Sequence, residues 1–170
     1  QQIGLLMGGS TGNVIYLLGK AAAALTSAGI GVGVAVKYGE SPLVTVSAAV
    51  AAMVGGYAGK ITGGTFFVDG NAVLAGPGEP LGAFIAAFAG ITCGHLVSGK
   101  TKVDIIVTPV ITIGAGSVVG LLVGPPISQM MTGLGSIINW ATEQRPFIMG
   151  IVVSVVMGMV LTLPVSYTHL

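Results

Sequence analysis

Charged side chains are rare in this chain, and they are placed so that long uncharged segments lie between them. The sequence has six basic and five acidic residues among 170, or 6% charged residues, whereas a soluble domain carries about a quarter. The apolar stretches between them cover residues 21–36, 43–58, 81–97, 105–123 and 147–163. Each approaches the roughly 20 residues that a helix needs to cross a bilayer. We therefore expect a membrane protein whose outer surface faces lipid.

The apolar stretches are continuous and do not alternate with polar residues, which argues against a β-barrel. Proline at positions 42, 80 and 146 marks predicted helix starts, because a first-turn proline loses no helical hydrogen bond. Small residues spaced by four positions, which let helices approach closely in lipid, occur in every predicted span. These are Gly29/Gly33, Gly55/Gly59, Gly90/Gly94, Gly116/Gly120/Gly124 and Gly150/Ser154/Gly158. The pattern predicts an all-α, polytopic transmembrane helical bundle with about five spans.

Three segments differ from plain spans. Residues 3–18 contain Gly8-Gly9-Ser10-Thr11-Gly12-Asn13, and irregular backbone of this kind cannot face lipid, so we predict a broken or re-entrant N-terminal segment. Residues 63–82 are rich in Gly and Pro and contain Asp69, Asn71 and Glu79, which predicts an extramembrane loop or a cavity lining. Residues 126–142 place apolar and polar residues on opposite helical faces and end near Trp140. This periodicity predicts an interfacial amphipathic helix.

Three polar residues in or beside these segments are candidates for ligand contacts. Glu79 lies between glycines and just before a helix start, where a ligand could approach the backbone; the alternative is a solvated loop acid. His95, near the end of the third apolar stretch, could contact substrate or relay protons, or be a packed, hydrogen-bonded histidine. Asn13 could donate to a sugar hydroxyl or satisfy the loop backbone.

Residues 94–101 match the phosphate-binding pattern G-x-x-x-x-G-K-[ST], but that motif requires a preceding strand. We interpret the match as a helix C-terminus capped by Gly99. The charged residues that follow could form an interfacial turn in which Lys100 pairs with Asp104. The sequence shows no catalytic triad or carboxylate pair and predicts no catalytic residue, metal ligand or cofactor. The net charge of +1 gives no basic surface for nucleic acid.

Four motifs resemble those of an EIIC-like family of bacterial membrane proteins. They are LMGGSTGNVIY (residues 6–16), SGKTKVDIIVTP (98–109), INWATE (138–143) and MGMVLTLP (157–164). The family is classed with the sugar-transporting component of the phosphoenolpyruvate-dependent phosphotransferase system, and proteins called perfringolysin O regulators resemble it too. Residues 1–164 are thus expected to form an EIIC-like transmembrane domain, incomplete at both ends, and residues 165–170 an atypical tail left by truncation.

The resemblance implies a sugar permease component in the bacterial cell membrane, crossing it several times. It would act as the membrane part of a sugar phosphotransferase, with soluble EIIA and EIIB partners supplying the phosphoryl group. We expect Asn13, Glu79 and His95 to bind the sugar, and Lys100, Lys102 and Asp104 to lie near the face that docks the partner. A homodimer is a further expectation. The alternatives are a membrane regulatory protein of the same fold without transport activity, and an ion-coupled transporter or channel.

Overall fold

The computed structural model is mainly helical and describes residues 2–68, 71–72, 76, 78–142 and 146–165. Its helices are α1 (Gln2–Met7), α2 (Gly9–Ala24), α3 (Thr26–Lys37), α4 (Pro42–Gly56), α5 (Ala58–Thr62), α6 (Pro80–Val97), α7 (Asp104–Thr142) and α8 (Pro146–Val165). Two short strands, β1 (Phe67–Val68) and β2 (Asn71–Ala72), pair antiparallel between α5 and α6. The helices at Pro42, Pro80 and Pro146 begin where the sequence predicts.

Among the residues that the structure describes, two helices are long and apolar enough to cross a membrane, Pro80–Val97 and Asp104–Trp140. The pair α2 and α3 would qualify together as a third span, bent by 42° at the break between them. α4 is apolar but has only 15 residues, which gives it a length of about 22 Å against a hydrocarbon core of about 30 Å. The structure thus supports a helical membrane protein with two or three candidate spans, and the predicted number of five is not confirmed.

The described chain divides into two compact units, residues 1–125 and 126–170. The core of the first unit is built from α3, α4 and α6 and consists largely of alanine: Ala35, Val44, Ala48, Ala52, Ala83, Ala87 and Ile91. Small side chains allow the helix backbones to come close together. A Cβ atom added to Gly31 would lie 2.5 Å from the Ala48 carbonyl oxygen, and one added to Gly82 would lie 2.6 Å from that of Gly55.

The predicted small-residue pairs differ in their packing. α7 approaches α4 and α6 through Gly116 and Gly120 and approaches α5 through Gly124, and α6 approaches α7 through Gly90 and Gly94. A Cβ atom on Gly29, Gly33, Gly150 or Gly158 would meet no other described atom within 4 Å. Close packing is therefore confirmed for Gly55 of the α4 pair and for the α6 and α7 motifs, while those of α3 and α8 make no such contact within the described residues.

The predicted N-terminal break lies at Gly8, which separates α1 from α2 with φ 59° and ψ −179°. Residues 10–13 are helical, so the irregular backbone is shorter than expected. α1 packs closely on α2, because a Cβ atom on Gly4 would lie 2.6 Å from the Tyr16 nitrogen and 2.7 Å from the Gly12 oxygen. A second interruption, between α2 and α3 at Leu25, was not predicted.

Residues 126–142 are helical as predicted, but they continue α7 and do not form a separate amphipathic helix. The Pro125-Pro126 pair, which lacks two backbone donors, coincides with the boundary between the two compact units. Within membranes such prolines are tolerated because other groups satisfy the freed carbonyls. Trp140 is exposed, as expected of an interface residue. The predicted span at residues 147–163 lies within α8. Of the predicted tail at 165–170, Val165 is the last residue of α8 and the rest lies outside the described residues.

Candidate functional site

Glu79 lies where the ends of three helices meet. It is the N-cap residue of α6, and its backbone N–H donates to the carbonyl oxygen of Gly56, at the end of α4, over 2.7 Å. One oxygen of its carboxyl group, Oε2, is buried and has no hydrogen-bond partner among the described residues. A buried acceptor without a partner costs about 1–3 kcal/mol. Glu79 is therefore a group that a hydrogen-bond donor could stabilise.

Gly76 and Gly78, which come before Glu79, form with it a short strap against α3 and α4. Gly78 has φ +72°, and a Cβ atom there would lie 2.6 Å from Ser27 Oγ, at the start of α3, and 2.9 Å from the Gly56 oxygen. Only glycine fits this position without strain. Upstream in the strap, the hydroxyl of buried Tyr57 donates to the carbonyl oxygen of Gly76 over 2.6 Å. We define the Glu79 site as Ser27, Gly56, Tyr57, Gly76, Gly78 and Glu79.

The Glu79 site has the chemistry of a small polar-ligand site. Its unpartnered carboxyl oxygen can accept a hydrogen bond from a hydroxyl group, and the adjoining strap offers backbone without side chains at Gly76 and Gly78. Sequence reasoning singled out Glu79 but missed Tyr57 and Ser27. Tyr57 directly follows Gly55-Gly56 near the end of an apolar stretch, which could have indicated a helix end. Nothing in the sequence pointed to Ser27.

His95 lies at the opposite end of α6, where it pairs with Glu40. Its Nδ1 atom is 2.9 Å from Glu40 Oε1, with the His95 side chain 70% exposed and that of Glu40 only 8% exposed. The side chains of Ser41 and Ser98 are hydrogen-bonded nearby at 3.1 Å. An open cleft of about 280 Å³ is lined by Tyr38, Glu40, Phe88, Ile91, Thr92, His95 and Leu96. At this end of α6, polar side chains therefore link α6 and the residue after it to the residues at the start of α4.

The turn between α6 and α7 has the predicted cap. Gly99 has φ +75° and Lys100 N–H donates to the Val97 oxygen over 3.1 Å, which is typical of a helix C-terminus. Because a helix precedes it, the segment lacks the strand that a phosphate-binding loop requires. Lys100 and Lys102 are exposed.

Asp104 has a structural role at the start of α7. Its Oδ1 atom accepts hydrogen bonds from Gly99 N–H at 3.0 Å and from the Thr108 hydroxyl at 2.6 Å. The predicted pair with Lys100 is not among the ion pairs of the described residues. That prediction was wrong because residues 99–103 form a turn, in which a spacing of four does not place two side chains on one helical face.

The predicted sugar-binding residues are not brought together. Glu79 and His95 are separated by the length of α6, about 24 Å at the helical rise of 1.5 Å per residue. Asn13 is exposed on α2, about 16 Å along that helix from Ala24 at its end. Lys100, Lys102 and Asp104 lie in one turn, at the His95 end of α6. Within the described part of the chain, no cluster of three or more His, Cys, Asp or Glu residues is placed to hold a metal ion.

The comparison with protein families agrees with this helical membrane fold. The family model described as "Phosphotransferase system, EIIC" matches residues 1–168, which is nearly the whole sequence. No curated protein and no solved structure matches the chain significantly. The family match, together with helices of membrane-spanning length and composition, establishes that the chain belongs to the phosphotransferase system EIIC family.

Proposed function

We propose that this chain is the sugar permease component of a phosphotransferase system. It binds a sugar within the helical bundle, and soluble EIIA and EIIB partners phosphorylate the sugar as it is transported. The proposal places the protein in the bacterial cell membrane with several membrane crossings. It is supported by the family match over residues 1–168 and by the apolar helices. A homodimer remains a prediction.

The observation that carries this proposal is the buried Glu79 Oε2 without a hydrogen-bond partner in the described residues. A sugar hydroxyl is a neutral donor that can satisfy a buried carboxylate, and a hydrogen bond to a charged group contributes about 1.5–3 kcal/mol. Irregular backbone between membrane helices is also where transporters place their binding sites. We therefore assign the sugar to the Glu79 site.

The other predicted residues take different places in this proposal. One monosaccharide cannot contact Glu79 and His95 together across the length of α6, so we propose that His95 contacts the sugar elsewhere on its path. Asn13, exposed on α2, is proposed as a further sugar contact. Exposed Lys100 and Lys102, with the turn that Asp104 organises, form the proposed docking face for the phosphoryl-donating partner.

The test is binding of a panel of labelled hexoses, hexitols, N-acetylhexosamines and disaccharides to the full-length protein in detergent. We expect at least one sugar to bind, and Glu79→Gln to weaken its binding by about tenfold or more, as expected for loss of a charged acceptor. Glu40→Gln makes the same change at the other end of α6 and serves as the matched control. If Glu79→Gln bound the sugar with wild-type affinity, the assignment of the sugar to the Glu79 site would be refuted.

Uptake in cells distinguishes the proposal from its alternatives. A permease component should take up its sugar only when the phosphoryl donor and both soluble partners are supplied. Absence of both binding and uptake with every partner present would favour a membrane regulatory protein. Loss of uptake on addition of a proton ionophore, with the phosphoryl relay intact, would favour an ion-coupled transporter.

A further inference from the structure

Two consecutive residues at the end of α4 hold the strap that ends in Glu79. The carbonyl oxygen of Gly56 accepts from the Glu79 backbone N–H at 2.7 Å, and the Tyr57 hydroxyl donates to the Gly76 carbonyl oxygen at 2.6 Å. The two hydrogen bonds lie at opposite ends of the strap, three residues apart. The backbone that carries the Glu79 carboxyl group is thus fixed to α4 at both points.

The Tyr57 side chain is itself fixed. Only 1% of its surface is exposed, and its ring lies 5.8 Å from that of Phe66 and 5.4 Å from Lys60 Nζ. Its hydroxyl also reaches the Ala24 carbonyl oxygen, at the end of α2, at 3.5 Å. A buried aromatic ring with contacts on its sides has little rotational freedom, so the hydroxyl holds Gly76 in one place.

We propose that Tyr57 is a positioning residue for sugar binding: its hydroxyl holds the Gly76 end of the strap so that the Glu79 carboxyl group stays in its binding position. This inference rests on the proposed function, because it assigns Tyr57 a role only through Glu79. Gly76 and Gly78, at φ +80° and +72°, give the strap many accessible conformations once it is released. Without the hydroxyl, the Glu79–Gly56 hydrogen bond remains as the second attachment but the Gly76 end of the strap is free. The Glu79 carboxyl group then spends part of its time outside its binding position, which the sugar must select.

The variant that tests this inference is Tyr57→Phe, which removes the hydroxyl and retains the ring that contacts Phe66 and Lys60. We expect it to weaken binding of the best sugar of the panel about 3- to 10-fold, the effect of one hydrogen bond. Tyr38→Phe makes the same change on an exposed tyrosine at the other end of α6, and it should bind the sugar as the wild type does.

A second measurement separates positioning from a general loss of structure. In sugar-free protein, Tyr57→Phe should speed hydrogen exchange of the Gly78 and Glu79 amides, while the amides in the middle of α6, residues 86–90, keep their wild-type rates. A variant that had merely lost stability would speed exchange at both places.

The outcomes distinguish the role of Tyr57 from the proposed function. If Glu79→Gln weakens sugar binding while Tyr57→Phe binds with wild-type affinity, the positioning role of Tyr57 is overturned and the proposed function stands. Unchanged exchange at Gly78 and Glu79 in Tyr57→Phe also overturns it. If Glu79→Gln binds normally, the assignment of the sugar to the Glu79 site fails and this inference fails with it, while the uptake experiment still decides the proposed function. If no sugar binds to the wild type and none is taken up, the proposed function fails as well.

Discussion

A close contact of α7 with two other helices can be tested with a single methyl group. Gly116 of α7 lies against α4 and α6, and a Cβ atom added there would lie 2.6 Å from both the Ala51 Cβ atom and the Ala86 carbonyl oxygen. The next nearest atom would be the Gly90 Cα, at 3.2 Å. Gly116→Ala therefore requires the helices to move apart, because two of these three atoms belong to backbone that cannot rotate away.

The magnitude follows from two opposing terms. Inserting a methyl group into a well-packed core costs about 1–3 kcal/mol, whereas replacing glycine by alanine in a helix contributes about 0.5–1 kcal/mol of stability. Gly114, two residues earlier in α7, would meet no other described atom within 4 Å. Gly114→Ala should gain the same helix stability as Gly116→Ala without overpacking the core. The difference in free energy of unfolding between the two variants therefore measures the cost of overpacking at Gly116.

We expect Gly116→Ala to be less stable than Gly114→Ala by about 1–3 kcal/mol, and Gly114→Ala to be at least as stable as the wild type. The assay is the free energy of unfolding, measured by titrating SDS into protein in mixed micelles. Equal stability of the two variants, or a Gly116→Ala protein more stable than the wild type, would refute the argument that α7 packs on α4 and α6 through this glycine.

Two further predictions concern the opposite end of α6 from Glu79. Asp104→Ala should lower the free energy of unfolding by about 1–3 kcal/mol, because it leaves the Gly99 amide and the Thr108 hydroxyl without their acceptor. Asp104→Asn retains an acceptor oxygen and should lose less stability. Equal losses for the two variants in the same SDS titration would contradict this role of Asp104. His95→Ala should change stability by less than about 1 kcal/mol, because the pair with Glu40 involves a largely exposed side chain. Equilibrium sugar binding should be unchanged in His95→Ala, and a clear loss of affinity would show that the sugar is bound at the His95 end of α6.

Features set by neighbours in the sequence were predictable. Pro42 and Pro80 mark helix starts because a proline's effect on the backbone is local. Gly99 ends α6 for a similar reason, since only the adjoining turn decides the cap. The glycines around Glu79 likewise indicated an irregular segment at that position.

Features set by distant residues were not predictable. Tyr57 and Gly76 are 19 positions apart, and Ser27 meets Gly78 only through the packing of α3 on α4. Helical periodicity correctly identified residues 126–142 as helix, but it carries no information on whether the helix continues through Pro125-Pro126. Equal spacing of small residues likewise could not distinguish Gly116, which packs closely, from Gly29, which does not.

The hydrogen bond between Glu79 and Gly56 limits how the binding site can open. It ties the first turn of α6 to the last turn of α4, and at the far end of the pair the side chains of Glu40 and Ser41 bond those of His95 and Ser98. With attachments at both ends, α4 and α6 should move as one rigid body, because a rotation between them must break a backbone hydrogen bond. Access for a sugar should then come from displacement of the segments around this pair. The bend at Leu25, between α2 and α3, is one place in the first unit where the direction of a helix already changes.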